Sequence, residues 1–313
     1  MKKFFILSVI LLTVVTFSSC KKEGVYTPDK KISKIYKAKL QKIENLTLTT
    51  EERTEKYLAE SWEWSGNLLK RIETYNSDGD LGIIFDFYYD GKRLSKIEYD
   101  GYRASYEYDG RKLNKIEYFL NDERYCYCDV KHDGKKISEF DFHYLEDFSK
   151  RSSVSNIDKM IDISLFMFLP TPEDSKRIRA AHKNATKLET AMSDYNIKLE
   201  WDGDNIDKLT YKTLDWIYIS RYSYDDKINP YFGLIKSSYD GEYVNPTSLC
   251  NKNNVTKEML KYTSGSLTGE TYVTDNTYDY DGNLPTKKTE TFIEQEGPNT
   301  YTSYYYTYYV YKD

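Results

Sequence analysis

The sequence predicts an all-β fold: an antiparallel up-and-down meander of tyrosine-rich hairpins that forms a curled sheet or a barrel, with a helical insert. Three observations carry this. A turn motif recurs along the chain. Tyrosine supplies 33 of the 313 residues, against 13 Phe and 4 Trp. Aromatic and charged residues alternate with the period of two that marks a half-buried strand.

The motif reads aromatic, x, aromatic, Asp-Gly, one or two basic or polar residues, Leu or Ile, x, Lys, Ile, Glu, aromatic. It is clearest at Phe87–Tyr99 and Tyr106–Tyr118. Degenerate copies stand at Trp62–Gly66, Val130–Gly134, Leu199–Gly203, Tyr222–Asp226 and Tyr278–Gly282. Asp-Gly is expected to supply the positive φ angles of a tight primed hairpin turn. In Tyr102–Tyr108, Tyr102, Ala104, Tyr106 and Tyr108 share one face, and Arg103, Ser105 and Glu107 the other. Gly91 and Gly110 are 19 residues apart, close to two strands and two turns. A meander in which each strand pairs with its neighbour follows, with cross-strand tyrosine ladders and hydroxyls expected to reach water.

Composition excludes several classes. At 16% aromatic the chain is no disordered polymer. Its formal charge of −5 makes nucleic acid an unexpected partner. One long apolar run, at the N-terminus, excludes a polytopic helical membrane protein.

That run has the layout of a secretory signal: Lys2 and Lys3, then 14 apolar or small residues from Phe4 to Phe17, then Ser18-Ser19-Cys20. The ending resembles a bacterial lipobox, with Phe17 where Leu is usual. This implies cleavage after residue 19 and acylation of Cys20, an anchor on the membrane. Lys21 stands where Asp would signal retention at the inner membrane, so the outer membrane is expected. The organisation is then a signal peptide at 1–19, a tether at 20–30 and one β-repeat domain at 31–313.

Lys31–Leu40 alternates as a strand, Thr50–Glu55 reads as a polar connector, and Asn76–Asp80 as a turn. Turn signals stop between Ser149 and Tyr195. There Pro172 at a first helical position, followed by Glu173 and Asp174, opens a helix with an apolar stripe at Ile178, Ala181, Ala185, Leu188 and Met192. The helical insert is therefore placed at about 149–195. The tail holds seven tyrosines within Tyr301–Tyr311 and reads as a closing strand buried on both sides. Cys126 and Cys128 share a strand face as small packing residues, and a bridge involving Cys250 is open to an envelope protein.

The hairpin unit, plainest at Tyr280-Asp281-Gly282-Asn283-Leu284, resembles the Tyr-Asp repeats of Rhs-type proteins. The chain is more similar still to a family of Bacteroidota envelope lipoproteins of unknown function with a porin-like β fold. The carriers are the repeats, Asp225–Phe232, Asn253–Lys257 and Tyr280–Lys287. The resemblance implies a lipid-anchored envelope barrel and lends no catalytic residue. Spanning a membrane is not expected, because Arg103, Glu107, Lys96 and Glu98 face away from the core, where a lipid-facing wall is apolar.

Chemistry-bearing motifs are few. His132 in a turn, His143 on a strand and His182 in the helix have no zinc spacing, and there is no phosphate loop, dinucleotide fingerprint or nucleophile elbow. No metal, cofactor or catalytic residue is assigned. The expected function is non-enzymatic: a binding module for a glycan, peptide or apolar ligand, with Trp62, Trp64, Trp201 and Trp216 as candidate ligand rings. The alternatives are a structural or assembly component of the outer envelope and an envelope hydrolase using paired carboxylates.

Overall fold

The computed structural model describes residues 23–44, 48–145, 195–213, 217–234, 251–265, 268–296 and 299–312. Sixteen antiparallel strands close into one barrel, each pairing with its sequence neighbours, and the last pairs with the first. The strands are β1 Ile32–Glu44, β2 Thr49–Ser65, β3 Leu68–Tyr75, β4 Leu81–Asp90, β5 Arg93–Tyr99, β6 Tyr102–Asp109, β7 Lys112–Leu120 and β8 Glu123–Asp133. They continue as β9 Lys136–Tyr144, β10 Tyr195–Asp202, β11 Asn205–Lys212, β12 Ile217–Ile228, β13 Asn253–Ser264, β14 Thr271–Asp281, β15 Leu284–Glu296 and β16 Asn299–Tyr311. The sheet is thus a closed barrel rather than an open curl. The expected helical insert, the signal peptide and Cys20 lie outside the described residues.

The motif turns all lie on one rim. Asp90 pairs with Arg93, Asp109 with Lys112 and Asp281 with Leu284, which leaves Gly and one further residue to turn the chain. Gly91, Gly110 and Gly282 sit at φ near +60°, while the Asp before each is the last residue of its strand. This is the φ pattern of a type II′ turn, so glycine alone supplies the left-handed residue. The expectation that Asp shares that duty is corrected. It holds only at the opposite rim, where Asp100-Gly101 and Asn121-Asp122 carry positive φ at both central positions, as type I′ requires.

Each odd-numbered strand bulges just after the motif rim. The extra residues are Ser33, Lys70, Ser95, Asn114, Ser138, Asp207, Thr256 and Thr286 on β1 to β15 in turn. A bulge leaves backbone unpaired in the ladder, and an aromatic side chain of the neighbouring even strand meets it. Trp64 Nε1 donates to Ile32 O at 2.7 Å, Tyr89 Oη to Leu69 O at 2.8 Å and Tyr108 Oη to Leu94 O at 2.7 Å. Around the barrel, Trp201 donates to Ile137 O at 2.7 Å, Tyr224 to Ile206 O at 2.6 Å, Tyr278 to Val255 O at 2.9 Å and Tyr311 to Pro285 O at 2.8 Å. The recurrent aromatic before Asp-Gly is therefore a donor in a girdle. The eighth hairpin is formed by the two ends of the chain, β16 and β1.

Two segments fold across this bulge rim. Tyr26, from the stretch before β1, packs its ring 5.7 Å from Trp64 and donates to Pro230 O at 2.7 Å. Tyr231, from the β12–β13 connection, lies 6.2 Å from Trp62 and 6.1 Å from Tyr309. That connection is pinned by side-chain amides. Ile206 N donates to Asn251 Oδ1 at 2.7 Å, Asn229 Nδ2 to Asn251 O at 3.0 Å and Asn253 Nδ2 to Lys227 O at 2.9 Å. Asp225 takes the amide of Asn254 at 3.2 Å and the hydroxyl of Tyr280.

Other expectations are amended. Thr50–Glu55 is not a connector but part of the long strand β2. It lacks an apolar face, and every residue of it but Thr54 is exposed. His132 lies near the end of β8 rather than in a turn. The tail is the closing strand, but it is not buried on both sides. Its outward rings Tyr306 and Tyr308 are half-buried under lysine stems, with Lys287 Nζ 5.0 Å from Tyr306 and Lys56 Nζ 4.1 Å from Tyr308. Tyrosine hydroxyls of the inner girdle reach carbonyls rather than water. A ladder of rings crosses neighbouring strands toward the opposite rim: Phe142–Tyr195 at 4.3 Å, Tyr195–Tyr211 at 5.4 Å, Tyr211–Tyr218 at 4.8 Å and Tyr218–Tyr262 at 5.7 Å.

Two predictions follow from this packing. Tyr108→Phe removes the donor from Leu94 O and lowers stability by about 1–2 kcal/mol, whereas Tyr127→Phe on the outer face changes it little; urea unfolding of the two variants checks this. The second concerns pH. Burial pushes the phenols of Tyr99, Tyr125, Tyr195, Tyr211, Tyr218 and Tyr309 above their ordinary value. The unfolded chain therefore loses protons above about pH 10 while the fold keeps them, so stability falls as pH rises, by about 1.4 kcal/mol per pH unit per phenol. A spectrophotometric titration shows these phenols ionising together with unfolding, not as independent groups.

Candidate functional site

The inward side chains divide the barrel wall into two arcs. From β3 to β11 they are apolar: Leu69, Ile72, Phe85, Phe87, Ile97, Leu113, Ile116, Phe142, Ile197 and Ile206 are all buried. From β12 through β16 to β2 polar side chains take inward positions among apolar ones such as Tyr218, Leu260, Phe292 and Tyr309. Ser220 on β12, Glu258 on β13, Thr274 and Asn276 on β14, Ser303 on β16 and Glu60 on β2 are buried polar or charged residues. They share register with one another: Glu258 is opposite Thr274, Asn276 opposite Glu290, and Glu290 opposite Tyr305.

At the centre of this arc Lys288 Nζ bonds Glu290 Oε2 at 2.6 Å. A quarter (25%) of the Lys288 side-chain surface, and 15% of that of Glu290, remains open. Burial pulls the ammonium down, but the fields of Glu290, Tyr309 and Glu258 outweigh it and carry its pKa above the ordinary lysine value. Lys288 stays charged. Two more lysines join the wall from β1, where Lys37 is opposite Thr307 and Lys39 opposite Tyr305, with Lys39 Nζ 5.2 Å from the Tyr305 ring. Nearer the bulge rim, Glu60 accepts Trp62 Nε1 at 2.7 Å.

Two deeply buried atoms of this wall have no hydrogen-bond partner among the described residues: Ser220 Oγ, in a residue 1% exposed, and Asn276 Oδ1, in one 7% exposed. A buried acceptor left unmet is destabilising by about 1–3 kcal/mol, so such atoms mark places where a polar group from outside the protein fits.

The sequence-predicted rings do not form one site. Trp62 and Trp64 stand side by side with centroids 6.4 Å apart, Trp62 buried and Trp64 half-buried, both with their indole N–H satisfied. Trp201 is elsewhere in the girdle, under Lys136 Nζ at 5.1 Å. Trp216 lies outside the described residues. Cys126 and Cys128 are buried on β8, and Cys250 lies outside the described residues. Among the described residues no group of three or more His, Cys, Asp and Glu could hold a metal. His143 is on the outer face, its ring 4.8 Å from Tyr127, and His182 lies outside the described residues. The polar arc was missed because no motif marks it. Its signal is Thr286–Thr291, Thr-Lys-Lys-Thr-Glu-Thr, a strand with no apolar face.

The outer surface is charged over much of its girth. Arg71 holds Asp86 with two bonds of 2.8 and 3.0 Å, Lys131 reaches Glu139 at 2.6 Å and Asp141 at 3.0 Å, and Lys257 reaches Asp275 at 3.2 Å. Such exposed pairs add little stability each. They occupy the positions where a lipid-facing wall carries an apolar band about 25 Å tall. Larger apolar side chains, Met259, Val273, Ile293 and Val310, are exposed on β13–β16. Among the described residues no helix is long and apolar enough to cross a membrane, which says nothing of strands.

With this architecture in view, comparison with solved structures finds sixteen matching chains, among them two porin-like proteins. One, from Bacteroides vulgatus ATCC 8482, is 11% identical with a TM-score of 0.35, over 91% of this chain and 99% of the other. The second, from Bacteroides uniformis ATCC 8492, is 10% identical with a TM-score of 0.35, over 92% of this chain and all of the other (100%). No protein-family model matches the sequence, and no curated protein matches it.

The wall's charges are coupled. Lys288→Met leaves Glu290 without its 2.6 Å partner and lowers stability by about 1–3 kcal/mol, while Lys288→Met with Glu290→Leu recovers part of the loss. A double-mutant cycle by urea unfolding measures the coupling.

Proposed function

We propose that this chain is an envelope lipoprotein, anchored at the outer membrane through Cys20, whose barrel binds a small polyhydroxylated ligand of the glycan class and performs no reaction on it. The observation that carries the reading is the buried Asn276 Oδ1, without a hydrogen-bond partner among the described residues, opposite Glu290 on the wall that also holds Lys288. Hydroxyl groups are both donors and acceptors, so one such ligand meets the bare Asn276 amide oxygen and the neighbouring Lys288–Glu290 pair together. The polar character of this arc favours a sugar over an apolar ligand. Ring faces at the bulge rim, Trp62 among them, bound the same interior. An assembly role through strand edges loses its template, because every strand is paired on both sides and closure removes the edges.

A glycan array with the purified chain tests the reading. Binding of at least one oligosaccharide is expected, weakened tenfold or more, about 1.4 kcal/mol, by Asn276→Leu and by Lys288→Met, with near-ultraviolet circular dichroism unchanged. Binding to no polymer, or binding indifferent to both substitutions, overturns the proposal. Cleavage of the bound glycan overturns its non-enzymatic part.

A further inference from the structure

One position of the girdle breaks the rule. On β8 the residue opposite the bulge is His132, and its partner is not a neighbouring carbonyl but Glu23, from the stretch before β1. His132 Nε2 lies 3.0 and 3.1 Å from the two Glu23 carboxylate oxygens. The same carboxylate accepts Leu113 N at 2.6 Å, and Glu23 N donates to Arg111 O at 3.2 Å. The next residue is fixed as firmly. Gly24 O accepts Leu94 N at 2.8 Å, and a Cβ on Gly24 would stand 2.1 Å from the Tyr108 hydroxyl oxygen, so only glycine fits beneath that ring. Residues 23–26 are therefore a strap laid on the bulge rim from β8 to β2, although they fall within the stretch expected to be a tether.

Cys20 is three residues before Glu23. Three residues of chain span at most roughly 11 Å, whereas the opposite rim is the length of a strand away, about 30 Å for the nine residues of β7. The strap leaves the barrel beside three adjacent turns that each carry a pair of basic residues: Lys92-Arg93, Arg111-Lys112 and Lys135-Lys136. Asp90, Asp109 and Asp133 accompany them, so six cations face three anions on this arc, and Lys21 and Lys22 follow Cys20 in the sequence.

We infer that the barrel stands on the bilayer by its bulge rim, with the basic turns of β4–β9 against anionic headgroups and the opposite rim directed away from the membrane. The inference rests on acylation of Cys20. The rim that two segments fold across faces lipid, and a ligand for the polar wall enters from the other rim.

Lysine footprinting by mass spectrometry tests this on the chain from Cys20 to Asp313, free and on vesicles of phosphatidylcholine with phosphatidylglycerol. The mass of the N-terminal peptide first reports whether Cys20 carries acyl chains. Where it carries none, the anchoring reading fails by itself, and a maleimide lipid coupled to the Cys20 thiol supplies the attachment instead, in a Cys250→Ser background. In either case, vesicle attachment is expected to slow labelling of Lys92, Lys112 and Lys135 severalfold and to leave Lys212, at the opposite rim, unchanged. Glu23→Ala with His132→Ala frees the strap and reduces the contrast. Equal protection of both rims, or protection of Lys212 alone, overturns the inference.

Discussion

The barrel depends on one recurring hydrogen bond, from an aromatic side chain on an even strand to the backbone carbonyl beside a bulge on the odd strand before it. Curving a sheet into a closed ring requires local breaks in the ladder, and bulges supply them. Each break exposes backbone that must find a partner in a buried place. A phenol or an indole is long enough to reach it while its ring covers the interior. The tyrosine content of the chain is thus a consequence of closure. A phenylalanine there would bury as much surface and leave the carbonyl unmet. Tyr89, Tyr108, Tyr224 and Tyr311, with Trp64 and Trp201, are interchangeable in this sense, because both ring types end in a donor.

Much of this was legible in the sequence, because the girdle imposes the same residue types at the same interval. The aromatic before Asp-Gly, the Leu or Ile that follows and the charged outward residues give seven hairpin copies. The eighth was not legible as a repeat, since Tyr311 and Ile32 are the two halves of one unit placed at opposite ends of the chain. Closure is the physical reason for that split. The turn class was half legible: Gly after Asp announces a tight turn, but only the pairing of Asp90 with Arg93 shows that Asp belongs to the strand. Thr50–Glu55 misled because strand propensity was sought as an apolar face, and β2 has none over that stretch.

The candidate site was less legible for a related reason. A wall that presents charge inward and threonine or lysine outward has no amphipathic period, so Thr286–Thr291 carries no sign of which face is inside. Only the register, which sets Asn276 against Glu290 and Glu290 against Tyr305, assembles these residues. The tryptophans were conspicuous by type, and the structure uses the N–H groups of Trp62, Trp64 and Trp201 in framework bonds. Chemical conspicuousness and interior polarity therefore point to different places, and the unmet hydrogen-bonding capacity lies at the second.

The exception at His132 ties the two halves of the molecule's design together. Seven girdle donors close the barrel on itself, and at the remaining hairpin an imidazole and the freed Leu113 amide turn instead to a carboxylate from the leading segment. A tyrosine there would complete the ring and leave Glu23 only the Leu113 amide to hold. With histidine, the same geometry that shapes the barrel also clamps the chain close to Cys20. The strap then adds its own ring, Tyr26, to the rim it crosses, bonded to the β12–β13 connection. The clamp on the leading segment and the ring that segment lays on the rim are one structural feature. In the proposed arrangement a barrel so fastened keeps its charged outer wall in water and its polar arc reachable from one direction, as a receptacle on a membrane rather than a conduit through it.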